Sequence, residues 1–216
     1  MASVAQGRDA AGVPVEVRRD RDHDMRLANS IWILLAFAFG WSVPAVGSVD
    51  ERLLAALREP GVVILMRHAE TEPGFGDPPS FRVDDCSTQR NLSREGLAQS
   101  ERFGRWIQSQ GLRPTRVRSS QWCRCLDTAR AAFGPRVRVE PWTALNSFFQ
   151  GHGNRDAQLA EARAVAAQIQ TGLEVWVTHQ VVISALTGSS VSMGEFVVAR
   201  PGTDGQLAVL GRGLVN

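Results

Sequence analysis

The stretch that decides the fold is VVILMRHAET, residues 62–71. Its first five residues are apolar and rich in β-branched side chains, and Pro60 and Gly61 precede them. A short, continuous apolar run of this kind predicts a strand that is buried on both faces of a sheet. Arg67 and His68 follow the run directly, so we expect them at the carboxyl end of that strand.

Strands and helices alternate along the rest of the chain. We expect further strands at residues 116–118, 137–140 and 174–178, and a closing antiparallel pair at 195–198 and 206–210. We expect helices after Ser93 to about Gln110, and at 122–133, 156–169 and 181–186. This alternation predicts an α/β fold, a sandwich in which helices flank a largely parallel sheet. Active sites of such sheets lie at the carboxyl ends of the strands.

The composition excludes several function classes. Of the 216 residues, 44% are hydrophobic and 21% charged, which is typical of a globular domain rather than a disordered chain. All 24 basic residues are arginine and there is no tyrosine. A lysine Schiff base, a Walker-type P-loop and a tyrosine nucleophile are therefore excluded. The net charge of +2 gives no basic footprint, so we expect no nucleic-acid partner.

The N-terminal part predicts export. Residues 1–24 read as a disordered leader or as an extension ahead of a start at Met25. Residues 25–47 have the charged, apolar and small-residue regions of a signal peptide, with cleavage expected after Gly47. The mature domain, residues 48–216, would then be periplasmic and without a membrane span. A buried core helix and an uncleaved anchor are the alternatives, but the apolar run is shorter than the roughly 20 residues that a span needs.

Three cysteines, Cys86, Cys123 and Cys125, lie in the predicted mature domain. An oxidising compartment permits one disulfide and leaves one thiol. Because Cys123 and Cys125 are too close in sequence to bridge well, we expect Cys86 to pair with one of them. Metal binding is the alternative, but three cysteines without a nearby histidine are a poor zinc set, so we expect no metal.

Residues that could carry chemistry follow three of the predicted strands. Arg67 and His68 follow the first, Arg124 stands shortly after the second, and His179 directly follows residues 174–178. If these strands are neighbours, two histidines and two arginines meet at one edge of the sheet. A guanidinium group can form two parallel hydrogen bonds to phosphate oxygens, and a neutral imidazole can attack phosphorus. The pattern therefore predicts a site for a phosphoryl dianion.

Four motifs in order resemble the histidine phosphatase superfamily, the family of phosphoglycerate mutases and acid phosphatases. They are LMRHAET at 65–71, RNLSREG at 90–96, SSQWCRCLDTA at 119–129 and VWVTHQ at 175–180. In the first, Ala69 replaces the glycine of the family's RHG signature. The resemblance covers most of the predicted mature domain, and it implies the three-layer, phosphoglycerate mutase-like form of the α/β sandwich.

The resemblance also implies residue roles. His68 would be the nucleophile that becomes phosphorylated, and His179 would assist it while contacting the phosphoryl group. Arg67, Arg124 and Arg90 would bind phosphoryl oxygens. The implied activity is hydrolysis of a small phosphomonoester through a phosphohistidine, with no metal and no cofactor.

The family's general acid has no clear counterpart. Gln180 stands where one branch has an acid, and residues 144–151, where the other has a glutamate, contain none. Glu70 is the candidate substitute, and Asp84, Asp85 and Glu140 are weaker ones. We assign no role to His152. Without an acid, good leaving groups would be favoured. The alternatives are a phospho-ligand-binding module without turnover and, less favoured because the segment after Arg124 is short, a mutase.

Overall fold

A computed structural model of the chain describes residues 51–203 and 205–216. These residues belong to one compact unit, Ala45–Asn216. The predicted leader and the predicted signal peptide, including its cleavage point, lie outside the described residues. Within the described ranges, no helix has both the length and the apolar character needed to cross a membrane.

The centre of the fold is a six-stranded sheet in the order β3-β2-β4-β1-β5-β6. Four adjacent strands run parallel, and β5 is antiparallel to both β1 and β6. The predicted sheet, with its closing antiparallel pair, is confirmed. The strands are β1 (Val62–Arg67), β2 (Arg116–Ser119), β3 (Val139–Pro141), β4 (Leu173–Thr178), β5 (Phe196–Pro201) and β6 (Leu207–Gly213).

Helices cover both faces of the sheet. They are α1 (Glu51–Ala56), α2 (Arg94–Ser109), α3 (Cys123–Phe133), α4 (Arg155–Gln168) and α5 (Gln180–Thr187). The first three pack on one face with Val175 and Val177, while α4 and α5 pack on the other with Trp176. Successive residues of β4 therefore enter opposite cores, as the alternation of a strand requires. The predicted three-layer sandwich is confirmed.

Helix and strand ends follow local chemistry. Ser93 caps α2, where its hydroxyl accepts a hydrogen bond from the Gly96 N–H at 3.0 Å. The strand expected at 137–140 begins two residues later, at Val139. The reason is that the N–H groups of Arg136 and Val137 both donate to the carbonyl of Phe133, in the turn that ends α3.

Candidate active site

Three neighbouring parallel strands, β2, β4 and β1, end at the same edge of the sheet. Arg67 stands opposite Thr178 in the register of β1 with β4, and the next N–H, that of His68, donates to the Thr178 carbonyl at 2.9 Å. On the other side of β4, the N–H of Ser120 donates to the Val177 carbonyl, also at 2.9 Å. The expected adjacency of the strand ends is therefore present.

A cleft of about 400 Å³ opens at this edge. It is lined by every residue expected to contact the phosphoryl group: Arg67, His68, Arg90, Arg124 and His179. The two imidazoles lie edge to face, with ring centroids 5.6 Å apart. The sequence-predicted basic and nucleophilic groups thus share one cavity.

His68 is held as a neutral imidazole with one free nitrogen. Its Nδ1 lies 2.9 Å from the carbonyl oxygen of Ala69, and since a carbonyl only accepts, Nδ1 carries the proton and Nε2 the lone pair. The pKa of His68 is lowered to about 3, mainly by burial and then by the charges of Arg124, Arg67 and Arg90, while the hydrogen bond to the Ala69 carbonyl opposes this shift. Near neutral pH, Nε2 is therefore available as a nucleophile.

Two contacts fix the backbone beside His68. The Ala69 N–H donates to Oγ1 of Thr128 at 3.0 Å, and that hydroxyl donates to the Arg124 carbonyl at 2.7 Å. The first turn of α2 packs so closely that a Cβ on Gly96 would overlap the carbonyl oxygen of Glu70. Thr128 and Gly96 belong to two of the quoted motifs, and their contacts hold the backbone that follows His68.

Three arginines supply positive charge to the cleft. Arg67 donates from Nη1 to the Val191 carbonyl at 3.0 Å, and Arg90 from Nη1 to the Gly74 carbonyl at 2.6 Å. The Nε atoms of Arg67, Arg90 and Arg124 are buried without a hydrogen-bond partner among the described residues. Burial lowers the pKa of both Arg67 and Arg90, and repulsion among the three cations lowers it further. Such a cluster favours an anionic ligand.

Asp77 is the functional residue that sequence reasoning missed. Its carboxylate accepts a hydrogen bond from each terminal nitrogen of Arg124, at 2.7 Å (Nη1 to Oδ1) and 3.0 Å (Nη2 to Oδ2). It also accepts from the Arg90 N–H at 3.0 Å and from Nε1 of Trp122 at 3.1 Å. Burial alone would raise the pKa of Asp77, but these donors and the charge of Arg124 lower it overall, so the carboxylate is ionised. The negative charge of Asp77 therefore pairs directly with the Arg124 guanidinium.

A hydrogen-bond chain sets the tautomer of His179. The Oδ1 atom of Asn146 accepts a hydrogen bond from the Gln121 N–H at 2.8 Å, so this atom is an acceptor. The Ser120 hydroxyl, 3.1 Å from the same atom, must therefore donate to it. The Ser120 oxygen therefore accepts from Nε2 of His179 at 2.9 Å, and Nδ1 of His179 carries the lone pair. Burial lowers the pKa of His179 well below its usual value, with contributions from Arg124 and His68. No motif in the sequence pointed to Asn146.

The expected acid candidates do not line the cleft. Glu70 is exposed, and its backbone N–H donates to Oε1 of Gln99 at 3.1 Å. Asp84 is also exposed, Asp85 accepts from Ser87, and Glu140 pairs with a surface arginine. Among the described residues that line the cleft, Asp77 is the single carboxylate.

His152, to which the sequence assigned no role, does line the cleft. Its ring lies edge to face against Phe81, with centroids 5.1 Å apart, and 6.5 Å from the ring of Trp122. Its side chain is therefore available to a bound ligand.

Cys86 and Cys123 form a disulfide, with their Cα atoms 5.6 Å apart. Cys123 begins α3 and directly precedes Arg124, so the bridge fastens the segment before α2 to the turn that carries this arginine. Cys125 is a buried thiol 3.5 Å from Nε2 of His179, and burial raises its pKa to about 12. Within the described ranges, no three His, Cys, Asp or Glu side chains are grouped so that they could hold a metal ion.

Comparisons with known proteins support the predicted fold. Residues 63–153 match the family model of the histidine phosphatase superfamily (branch 1). No curated protein matches the chain. The structure of the protein histidine phosphatase SixA complexed with tungstate is similar, at 15% identity and a TM-score of 0.53, over 71% of this chain and 96% of that one.

A mutant phosphoserine phosphatase from Entamoeba histolytica, in complex with phosphoserine, is similar at 17% identity and a TM-score of 0.51, over 70% of this chain and 95% of that one. At these identities the likeness establishes the fold. Together with the family match over residues 63–153, it confirms the predicted resemblance to the histidine phosphatase superfamily.

Proposed function

We propose that this protein is a metal-independent phosphomonoester hydrolase that acts through a phosphohistidine intermediate. The observation that carries the proposal is the free Nε2 of neutral His68, which lies in one cleft with three arginines whose Nε–H groups have no partner among the described residues. A nucleophile without its own charge can approach a dianion that these cations hold.

Binding would be electrostatic. Arg67, Arg90 and Arg124 bring three positive charges against the single carboxylate of Asp77, so the cleft attracts a phosphoryl dianion. Each charge-assisted hydrogen bond from a guanidinium is worth about 1.5–3 kcal/mol. The same donors stabilise the charge on the phosphoryl oxygens during transfer.

Transfer would take two displacements. In the first, the Nε2 lone pair of His68 forms a bond to phosphorus, and the bond from phosphorus to the ester oxygen breaks with its electron pair on that oxygen. The Ala69 carbonyl, which holds Nδ1–H, stabilises the positive ring that results. In the second, water attacks phosphorus and the electron pair of the P–N bond returns to Nε2. One water is consumed, and its protons are shared between the released alcohol and phosphate.

The test is hydrolysis of p-nitrophenyl phosphate by the purified protein in the presence of EDTA. Labelled phosphate should be trapped on His68 when the reaction is stopped with denaturant at alkaline pH, where phosphohistidine survives. The substitution His68→Ala should lower kcat by roughly 10³-fold or more. Leu97→Ala, which changes an exposed apolar side chain on α2 outside the cleft, is the control. Full activity of the His68→Ala variant would contradict the assignment of His68 as the nucleophile.

A binding module without turnover is the second candidate function. Its specific support is that the single carboxylate lining the cleft within the described residues, Asp77, is tied to Arg124 and cannot donate a proton. In that case orthophosphate would raise the melting temperature while no phosphomonoester is hydrolysed.

We also propose that the protein works outside the cytoplasm, in the periplasm. The signal-like residues 25–47 support this, and so does the Cys86–Cys123 disulfide, because disulfides persist in oxidising compartments. Material from the periplasm should have Ser48 as its first residue. Intact chain confined to the cytoplasm would contradict the proposal.

A further inference from the structure

Two exposed phenylalanines stand in the cleft that holds His68. Phe75 is 85% exposed and Phe149 is 38% exposed, and both line the cleft. Their rings contact each other edge to face, with centroids 5.6 Å apart. Each comes from a different loop, one after β1 and the other after β3. Two large apolar rings that meet in water at a cleft indicate a binding surface rather than a core contact.

Aromatic rings continue toward the catalytic groups. Trp122 lines the same cleft, and its ring centroid lies 5.4 Å from that of His179. Because its Nε1–H donates to the Asp77 carboxylate, the indole presents only its apolar surface to the cleft. Trp122 is only 4% exposed, so the rings that a ligand can reach most freely are those of Phe75 and Phe149.

Among the residues that the structure describes, none lines the cleft as a carboxylic acid that could protonate a leaving group. The cleft's single carboxylate within the described residues, Asp77, is held ionised by two hydrogen bonds from Arg124. A leaving group that departs without such help must be stable as an anion. Phenols meet this condition far better than alkyl alcohols, because a phenol ionises near pH 10, whereas an alkyl alcohol is about as weak an acid as water, which ionises only near 15.7.

We propose that the substrates of this cleft are aryl phosphomonoesters, whose ring packs against Phe75 and Phe149 while the phosphoryl group contacts His68 and the arginines. The proposal rests on the phosphatase function proposed above. In the first displacement the P–O bond to the aryl oxygen breaks, and the aryloxide leaves with the electron pair. It then takes its proton from solvent water.

The test compares three esters: α-naphthyl phosphate, hexafluoroisopropyl phosphate and glycerol 3-phosphate. The second has an alcohol about as acidic as naphthol but carries no ring, so it separates ring contact from leaving-group acidity. Wild-type protein should prefer the naphthyl ester to both others in kcat/KM. Phe75→Ala and Phe149→Ala should each lower kcat/KM for that ester about 2- to 10-fold and leave the hexafluoroisopropyl ester unchanged. Leu214→Ala, an exposed apolar position outside the cleft, is the matched control.

Equal losses on both activated esters, or equal wild-type rates on all three, would overturn the aryl proposal while leaving the phosphatase function intact. Absence of any hydrolysis would instead overturn the phosphatase function. In that event, the ring contact is tested by comparing the affinity of the protein for naphthylmethylphosphonate with its affinity for methylphosphonate, which has no ring. The naphthyl ligand should bind more tightly to wild-type protein, and Phe75→Ala should remove its advantage.

Discussion

Arg124 and Asp77 form a two-pronged ion pair inside the cleft, with side chains only 6% and 9% exposed. The pair takes one N–H from each terminal nitrogen of the arginine, and because a guanidinium has five N–H donors, others remain for a ligand. Because the carboxylate also accepts from Trp122 and from the Arg90 backbone, one acidic side chain fixes the positions of three cleft residues. Asp77 thus positions the side chains of the proposed phosphoryl site.

Asp77→Asn should lower the free energy of unfolding by about 3 kcal/mol, because a buried arginine loses its counter-charge. Orthophosphate should then raise the melting temperature more than it does in wild-type protein, since the ligand supplies the missing negative charge. Thermal unfolding with and without phosphate measures both effects. Asp85→Asn, outside the cleft, should show the wild-type response to phosphate. An equal response in Asp77→Asn would mean that Arg124 does not contact the ligand.

Stability should fall in acid because of the two histidines. The pKa of His68 is about 3 in the folded protein and 6.5 for a free histidine. Between these two pH values His68 is therefore protonated in the unfolded chain and neutral in the folded protein. Stability is therefore complete above about pH 6.5 and declines as the pH falls toward 3, by about 1.4 kcal/mol per pH unit for each such proton.

Urea unfolding at several pH values measures this dependence. His68→Asn should have the shallower slope between pH 4 and 6, because its side chain does not titrate there. Parallel slopes for the variant and the wild type would contradict the neutral, buried state of His68.

Asn146→Ala should change the tautomer of His179. Without the Asn146 acceptor, the Ser120 hydroxyl is free to donate to Nε2 of His179, and the proton then moves to Nδ1. We expect kcat to fall by more than the affinity for phosphate, as an incorrectly placed proton affects transfer more than binding. The ¹⁵N chemical shifts of the His179 ring report the tautomer directly. Unchanged shifts would remove Asn146 from the positioning chain.

The disulfide should contribute chain-entropy stabilisation. Cys86 and Cys123 are 37 residues apart, which corresponds to about 4 kcal/mol at 25 °C in the loop-closure model. Cys86→Ser and Cys123→Ser should therefore each lower the free energy of unfolding by about the same amount, and the double variant by no more than either. Additive losses in denaturant unfolding would show that the two positions act separately.

Apolar runs and strand order made the fold predictable from sequence. β1 and β4 are recognisable because both faces of each are buried, and such strands are predominantly apolar. Arg67, His68 and His179 then follow from the rule that parallel strands end at one edge. The missed residues, Asp77 and Asn146, lie in loops, where position depends on tertiary contacts rather than on periodicity. Glu70 was expected at the site because it follows the nucleophile closely, but its side chain is exposed.

The all-buried strand β4 has hydrogen-bonded neighbours on both edges. Amide protons in such a strand exchange with solvent only when the whole domain unfolds, whereas loops exchange through local opening. The histidine pair at the ends of β1 and β4 therefore keeps its spacing for as long as the domain is folded. Phe75, by contrast, lies on the loop after β1, outside the helices and the sheet, and is 85% exposed. Its ring can therefore adjust to a ligand by local motion while the imidazole nitrogens stay in place.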